Sequence, residues 1–349
     1  MDPIFRQVYE WTCCLLSYLY VLYFSGVTQR KLSCSSAAAG ITLYLQLIFQ
    51  KFSTPTRAVA FSSSERFVAL PPQLAPPTPK TSLTFSMVTA AAQIPHPAKA
   101  ETGGEDSFCV SANSLAVSDG VGGWQQYGVD PSQFSRSFVR HAYDFLSSGP
   151  AQCFEPENVL RYSYDRLCSE QVQGGGTACV LSLHNRKLKA AMIGDTAFLV
   201  IRNGKIIFRS PTQQHYFNCP YQLSSHGGDL PCDMQTVEYP VRENDIIITA
   251  TDGLFDNVFD HEILYNLQQQ RIRYRTVQNS DQIAILTNFV RDFSASLSYA
   301  AFAASQKRDV DTPFSIAART AGYNFVGGKE DDITVLVSVV TKHESAHCS

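Results

Sequence analysis

Residues 178–208, which read ACVLSLHNRKLKAAMIGDTAFLVIRNGKIIF, decide the fold class of this chain. The stretch holds four short apolar runs, at 178–183, 188–193, 197–201 and 205–208. Each run has the length of a strand, and only a few residues separate it from the next. Asn203-Gly204 is the strongest hairpin signal in the chain, because both residue types tolerate positive φ. Since such short connections join antiparallel neighbours, the stretch predicts antiparallel strands.

Helices are predicted in blocks to either side of these strands. Asp130-Pro131 begins the first helix, with Asp as the cap and Pro in the first turn, and a second helix follows Pro156. Later in the chain, a helix is predicted over 260–267 and a long amphipathic helix over 283–297. Further strands are predicted over 108–117, 245–250 and 333–340. Because strands and helices do not alternate, we expect an α+β fold with antiparallel sheets and segregated helices, rather than a doubly wound parallel sheet.

The first 70 residues differ in composition from the rest of the chain. Residues 11–64 contain no Asp or Glu, but they contain several Lys and Arg and many Ser, Thr and Ala. This composition predicts an organellar transit peptide over 1–70. A membrane anchor is the alternative, because residues 11–27 are apolar and uncharged, although they fall short of the ~20 residues of a membrane span. A misassigned gene start is a third interpretation.

A proline-rich segment separates this region from the folded domain. Five prolines fall within residues 71–79, and such a segment cannot pack as the interior of a helix or sheet. We therefore predict a linker over 71–80, a domain over 81–341 and a tail over 342–349.

Neither the charge nor the cysteine pattern points to nucleic acid or zinc. The formal net charge is −3, so there is no excess of positive charge for a nucleic-acid partner. The ten cysteines form no CxxC pair and no Cys/His cluster with zinc spacing. Several lie inside apolar runs, as Cys179 does. Buried, reduced thiols and a reducing compartment are the preferred interpretation.

A set of acidic residues shares one feature, that each stands at the end of a predicted strand. They are Glu105, Asp106, Asp119, Asp195, Asp252 and Asp331. A single Asp-Gly pair is most often only a turn. Several converging carboxylates would repel one another and raise each other's pKa values unless cations lay among them. An all-oxygen set selects Mg²⁺ or Mn²⁺ over zinc, so the pattern predicts a candidate site for hard divalent cations.

The motifs around these acids resemble those of the type 2C, metal-dependent serine/threonine protein phosphatases. In chain order they are Gly103-Gly-Glu-Asp106, Val117-Ser-Asp-Gly-Val-Gly-Gly-Trp124, Gly174-Gly-Gly-Thr-Ala178, Ile193-Gly-Asp195, Thr251-Asp-Gly-Leu-Phe-Asp-Asn257 and Gly327-Gly-Lys-Glu-Asp-Asp-Ile-Thr334. They follow the family's order and extend over essentially the whole predicted domain.

The resemblance implies a four-layer α-β-β-α sandwich, with two stacked antiparallel sheets flanked by helices. It also implies hydrolysis of phosphoserine and phosphothreonine by a hydroxide bridging two Mn²⁺ or Mg²⁺ ions, with Asp119, Asp252 and Asp331 as the catalytic residues. The implied metal ligands are Glu105, Asp106, Asp119, the Gly120 carbonyl, Asp252 and Asp331. Asp195 and Asp256 resemble the positions of a weaker third ion.

The chain departs from the family pattern at two positions beside these motifs. Val121 stands where many members have a His that serves as the acid, and Glu101 stands where many have an Arg that holds phosphate. We hypothesise that Lys99 steadies the phosphate instead. Asp332 replaces a frequent Asn and is expected to support the ligands.

Within the family, the chain resembles an organellar subgroup that includes mitochondrial members. Residues 94–106, 214–224 and 253–263 look closer to the plant phosphatases of photosystem II core proteins. The resemblance therefore implies a chloroplast enzyme, with the mitochondrion as the alternative, and thylakoid phosphoproteins as partners. Membrane contact through the N-terminus or the substrate, and a monomeric state, are further expectations.

Two competing interpretations remain open at this point. One is a pseudophosphatase that binds phosphoproteins, although none of the three catalytic aspartates is missing. The other is a different two-metal hydrolase such as a nuclease, against which the lack of basic character argues. Among other residues, His96 and His215 are expected to be packed or surface groups rather than metal ligands. Trp124 is expected either to pack at the rim of the site or to contact substrate. The aromatic loop 216–221 is expected to pack in the core or to contact substrate.

Overall fold

In this computed structural model, which describes residues 82–149, 154–275 and 282–345, the strands form two five-stranded antiparallel sheets. The first sheet contains, in spatial order, β1 (Ser82–Ile94), β14 (Ile333–Ser345), β13 (Ile246–Ala250), β7 (Ala197–Arg202) and β8 (Lys205–Arg209). The second contains β12 (Gln235–Pro240), β6 (Lys187–Ile193), β5 (Ala178–His184), β3 (Ser114–Asp119) and β2 (Asp106–Val110). Two short antiparallel pairs are β9 (Gln214–Tyr216) with β10 (Cys219–Pro220), and β4 (Gly175–Gly176) with β11 (Leu223–Ser224).

The helices of the described part fall into two groups along the chain. They are α1 (Pro131–Ser147), α2 (Pro156–Ser169), α3 (Asp252–Phe255), α4 (Asp260–Arg275), α5 (Gln282–Ser305) and α6 (Pro313–Thr320). The start of α1 is the predicted one, since the Asp130 side chain accepts a hydrogen bond from the Ser132 amide and Pro131 occupies the first turn.

Side-chain alternation along the central strands explains the layers. In β14, Val335, Val337 and Val339 pack with Phe293 and Leu297 of α5, whereas Leu336 and Val340 pack with residues of the other sheet. A strand that is apolar on both faces is buried on both faces. In the second sheet, the inner residues of β5 join the same inter-sheet core, and its outer residues pack with α1 and α2. The layers are therefore helices, sheet, sheet, helices, and the predicted fold class is confirmed.

Several element boundaries differ from the sequence prediction. The single strand expected over 108–117 is a hairpin of β2 and β3, because residues 111–113 turn the chain. Helix α4 continues to Arg275 rather than 267. Strand β14 continues to Ser345 because it pairs with β1 along its full length, so it extends into the segment expected to be a tail. Strand β1 itself and helix α6 were not anticipated.

The predictions for residues 1–80 lie outside the described residues. Within the described ranges, no helix is long and apolar enough to cross a bilayer. The five cysteines in those ranges are free thiols, namely Cys109, Cys168, Cys179, Cys219 and Cys232. Burial raises the pKa of Cys109 to about 12 and that of Cys179 further, so neither is a reactive thiolate at neutral pH.

Candidate metal centre

Two acidic residues of the second sheet stand directly opposite each other. Asp106 opens β2 and Asp119 closes β3, and the antiparallel register pairs these two residues. A reverse turn after residue 110 is what brings them to the same sheet end. The sequence signal for the pair was the acidic residue at each strand end, but their register depends on the hairpin that the prediction missed.

Two further acidic residues, Asp252 and Asp331, lie just outside neighbouring strands of the first sheet. Strand β13 ends at Ala250 and strand β14 begins at Ile333, and these strands are neighbours. The Thr251 amide donates to the Thr334 carbonyl over 3.1 Å. Asp252 therefore leaves one strand beside the point where Asp331 enters the next.

A threonine joins the two sheets at this end. The Thr251 hydroxyl donates to Asp106 Oδ2 over 2.9 Å and accepts from the Thr334 amide over 3.1 Å.

Asp195 comes from residues 194–196, the crossing that leads from β6 in one sheet to β7 in the other. Gly194 has a φ of +96° in this crossing, a backbone conformation that side-chain-bearing residues rarely adopt.

The Lys329 ammonium lies among three of these carboxylates. Its Nζ is 2.5 Å from Asp252 Oδ2, 2.9 Å from Asp256 Oδ2 and 3.1 Å from Asp331 Oδ2. Three carboxylates from two separate segments are thus close enough to share one cation. Sequence reasoning missed Lys329, although its place between Gly-Gly and a run of acids in the motif 327–334 was a usable signal.

The buried carboxylates repel one another strongly. Burial first, and then the charges of Asp106, Asp252, Asp331 and Asp195, hold the pKa of Asp119 well above its usual range. The pKa of Asp106 is likewise raised, first by burial and then by the charge of Asp332. Such a cluster favours either protons or added cations.

The outer carboxylates have pKa values near neutrality. Burial and the charge of Asp252 raise the pKa of Asp195 to about 7, while a hydrogen bond from Gln214 works against the shift. Burial also raises the pKa of Asp256 to about 7 and that of Asp331 to about 6, although the charge of Lys329 lowers both pKa values. Conversely, burial lowers the pKa of Lys329, but the surrounding carboxylates outweigh it and raise the pKa well above its usual value.

Asp332 and Lys99 both form hydrogen bonds with Glu105. Asp332 accepts from the Glu105 amide over 2.9 Å and from the His96 amide over 2.7 Å. Lys99 Nζ donates to Glu105 Oε2 over 2.6 Å and lies 3.3 Å from Asp332 Oδ2. Gln125 donates to the other oxygen of Glu105. The Glu105 carboxylate is therefore held from both sides, and Lys99, the predicted phosphate contact, is engaged with carboxylates.

The residues fit hard divalent cations. Asp106 Oδ1 and Asp252 Oδ1 are buried oxygens without a hydrogen-bond partner, which is costly unless a cation satisfies them. Every candidate side-chain ligand is a carboxylate, as Mg²⁺ and Mn²⁺ prefer. Among the described residues, no three His, Cys, Asp or Glu side chains surround one point as metal ligands do, and Lys329 lies among the acids.

The two departures from the family pattern lie at different places. Val121 follows Gly120, whose amide donates to the Glu105 carbonyl over 3.2 Å, and it lines a groove together with Trp124 and Tyr216. Glu101 is exposed on the loop before Glu105.

That groove has a volume of about 760 Å³ and is rich in aromatic side chains. Tyr127 and Tyr216, which are 73% and 68% exposed, lie on its walls together with Trp124. Trp124 Nε1 donates to Gln222 Oε1 over 2.9 Å, which ties one wall to the other.

The other aromatic and histidine residues singled out in the sequence have mainly packing roles. His215 stacks on Tyr221 and lies 3.0 Å from Asp229 Oδ2. Phe217 packs against Phe314 and Tyr323. The His96 side chain accepts a hydrogen bond from the Ala98 amide at the start of a short 3-10 helix.

Known proteins resemble this chain over most of its described length. Probable protein phosphatase 2C 55 of Arabidopsis thaliana is 38% identical over 269 residues, covering 75% of this chain, but the chain spans only 54% of that relative, about half its length. Probable protein phosphatase 2C 26 of Arabidopsis thaliana is 33% identical over 291 residues, covering 77% of this chain and 88% of that protein. No protein-family model matches the chain.

A solved structure shares the fold. The X-ray structure of the photosystem II phosphatase PBCP superimposes with a TM-score of 0.62 at 31% identity, covering 72% of this chain and 98% of that one. Since this similarity and the identity to phosphatase 2C 26 both extend over nearly the whole of the matched proteins, the chain belongs to the protein phosphatase 2C family.

Proposed function

We propose that this protein is a metal-dependent phosphatase that hydrolyses phosphoserine and phosphothreonine in proteins. The observation that carries the proposal is the carboxylate cluster at the shared end of the two sheets, with two buried oxygens that lack a partner. Membership of the protein phosphatase 2C family supports the same reaction. The three aspartates whose loss would indicate a pseudophosphatase, Asp119, Asp252 and Asp331, are all part of the cluster.

The proposed ligands of two Mg²⁺ or Mn²⁺ ions are Glu105, Asp106, Asp119, the Gly120 carbonyl, Asp252 and Asp331. Such ions, when bound, supply Lewis acidity towards phosphoryl oxygens and lower the pKa of water. The side chains of this protein orient and charge the site. Asp119 lies within reach of the charges of four other aspartates of the cluster, and Asp332 holds the backbone at Glu105.

The groove lined by Val121 is the proposed binding site of the phosphopeptide. Val121, which directly follows Gly120, lines it together with Trp124 and Tyr216. Exposed aromatic faces can cover the backbone and side chains of residues that flank a phosphorylated one. A protein segment, rather than a free small phosphate, therefore matches the shape and chemistry of this surface.

A phosphatase assay on a phosphothreonine peptide tests the proposal. We expect Mn²⁺-dependent phosphate release that is abolished by EDTA and reduced at least ~10³-fold by Asp119→Asn, because this aspartate lies at the centre of the cluster. Asp311→Asn, at an exposed aspartate paired with Arg319, is the matched control and should retain wild-type activity. Tight peptide binding without turnover would instead indicate the pseudophosphatase. Cleavage of DNA or RNA without release from the peptide would indicate the nuclease.

We further propose a chloroplast location and photosystem II core proteins as substrates. The similarity to a photosystem II phosphatase, at 31% identity, supports this choice. A fusion of residues 1–80 to a fluorescent reporter should accumulate in chloroplasts. Accumulation in mitochondria would favour the alternative compartment, and reporter fixed in a membrane would favour the anchor interpretation.

A further inference from the structure

The Lys329 ammonium lies within the carboxylate cluster. An ammonium group has three hydrogen-bond donors and no acceptor. Lys329 Nζ meets three carboxylate oxygens, those of Asp252, Asp256 and Asp331, at 2.5–3.1 Å. The donor capacity of the group is therefore fully used within the cluster.

The backbone of Lys329 is clamped to the segment that bears two of those carboxylates. The Lys329 amide donates to Asn257 Oδ1 over 3.0 Å, and Asn257 Nδ2 donates to the Lys329 carbonyl over 2.9 Å. Asn257 is buried and also donates to the Gly253 carbonyl over 3.0 Å. The backbone of Lys329 is thus held in place beside the segment that carries Asp252 and Asp256.

The approach to Lys329 is equally constrained on its other side. Gly328 packs so tightly that an added Cβ would lie 2.2 Å from the Ala304 carbonyl oxygen. The Phe314 ring centroid lies 5.1 Å from Nζ, so an aromatic face covers the ammonium. A tightly packed glycine, the Asn257 amide clamp and an aromatic ring direct one cationic group to one position.

We propose that the Lys329 ammonium takes the place of a third metal ion at Asp256, so that this phosphatase works with two ions. The inference rests on the proposed function, since it concerns the same carboxylates. The ammonium pairs with Asp256 Oδ2, so a divalent ion arriving at that carboxylate would be repelled by it. Asp252 pairs with the ammonium through Oδ2 only, and its buried Oδ1 has no partner, so it can still bind an ion of the two-metal centre. Lys329 is a positioning residue, because it holds Asp252 and Asp331 through their Oδ2 atoms.

Counting bound Mn²⁺ on the full chain by equilibrium dialysis tests the proposal without using activity. We expect two ions on the wild type and three on Lys329→Met, with the third binding at least tenfold more tightly than any third ion on the wild type. The double variant Lys329→Met/Asp256→Asn should return to two ions. Lys187→Met, at an exposed lysine paired with Glu238, is the matched control and should bind two.

Three outcomes would overturn the inference. They are three ions on the wild type, only two on Lys329→Met, or a third ion on Lys329→Met that survives the Asp256 change. If Lys329→Met fails to fold, as a circular dichroism spectrum would reveal, Lys329→Gln in the same assay provides the neutral side chain. A wild type that binds no Mn²⁺ would overturn the proposed function as well, whereas the other outcomes leave it standing.

Discussion

Asp332 is the residue on which the geometry of Glu105 depends most directly. One of its oxygens accepts from the His96 amide and the other from the Glu105 amide. An asparagine has only one acceptor oxygen, so Asp332→Asn would turn an NH₂ group towards one of these amides.

We expect Asp332→Asn to raise the Mn²⁺ concentration for half-maximal activity by roughly 10-fold, the size of effect typical of residues that support metal ligands. The turnover number at saturating Mn²⁺ should change little. A Mn²⁺ titration of phosphopeptide hydrolysis measures both quantities. An unchanged half-saturation point would contradict the assigned role of Asp332.

Lys99 offers a second test at the residue scale. Its Nζ lies at Glu105 and Asp332, and burial lowers its pKa less than the carboxylates of Glu105, Asp332 and Asp331 together raise it. Lys99→Ala should therefore weaken Mn²⁺ binding, which would raise the Mn²⁺ concentration for half-maximal activity. At saturating Mn²⁺, KM for the phosphopeptide should be unchanged. The original hypothesis of a phosphate contact predicts the opposite pattern, a raised KM at every Mn²⁺ concentration. Lys307→Ala, at an exposed lysine, serves as the control.

At the scale of elements, the short helix α3 and the start of β14 meet through a glycine. A Cβ at Gly253 would lie 2.1 Å from the Asp332 carbonyl oxygen, a contact that no side chain can tolerate. This close approach is what brings Asp252 beside Asp331.

Gly253→Ala should therefore cost about 1–3 kcal/mol of stability through overpacking and should also weaken Mn²⁺ binding. Thermal unfolding followed by circular dichroism, with and without Mn²⁺, measures both effects. At Gly123 the nearest atom to an added Cβ is 3.9 Å away, so Gly123→Ala is the control for stability. Equal Tm values for the two variants would show that the α3–β14 contact can relax.

Across the whole molecule, the acidic cluster makes metal-free stability depend on pH. The pKa values of Asp195 and Asp256 are raised to about 7, and that of Asp331 to about 6, from a usual value of 3.8. Between about pH 4 and 7 the folded state therefore binds more protons than the unfolded state. Because the folded state gives up these protons as pH rises, the free energy of unfolding falls through this window.

We expect the Tm of the EDTA-treated protein to be higher at pH 5.5 than at pH 8, and saturating Mn²⁺ at pH 8 to restore the lost stability. Asp195→Asn should reduce the difference between the two pH values, because it removes one of the titrating groups. Asp309→Asn, at an exposed aspartate, should leave the difference intact. A metal-free Tm that rises from pH 5.5 to pH 8 would contradict the account.

The sequence alone determined the local elements and the chemical character of the site. Apolar runs separated by short turns specified the strands of residues 178–208, and Asp130-Pro131 specified the start of α1, because both signals depend on neighbouring residues only. The acids at strand ends, together with their motifs, specified a family and a set of candidate ligands. The assignment of Asp119, Asp252 and Asp331 as catalytic residues stays a prediction.

Only the tertiary structure decided which of these groups touch. The β2–β3 register sets Asp106 opposite Asp119, and the long β1–β14 pairing joins the two ends of the described chain. Lys329 was not anticipated because its three carboxylate partners include two that lie more than seventy residues away. Cross-strand register and charge pairing over such separations depend on how the sheets pack, and no local pattern in the chain encodes that.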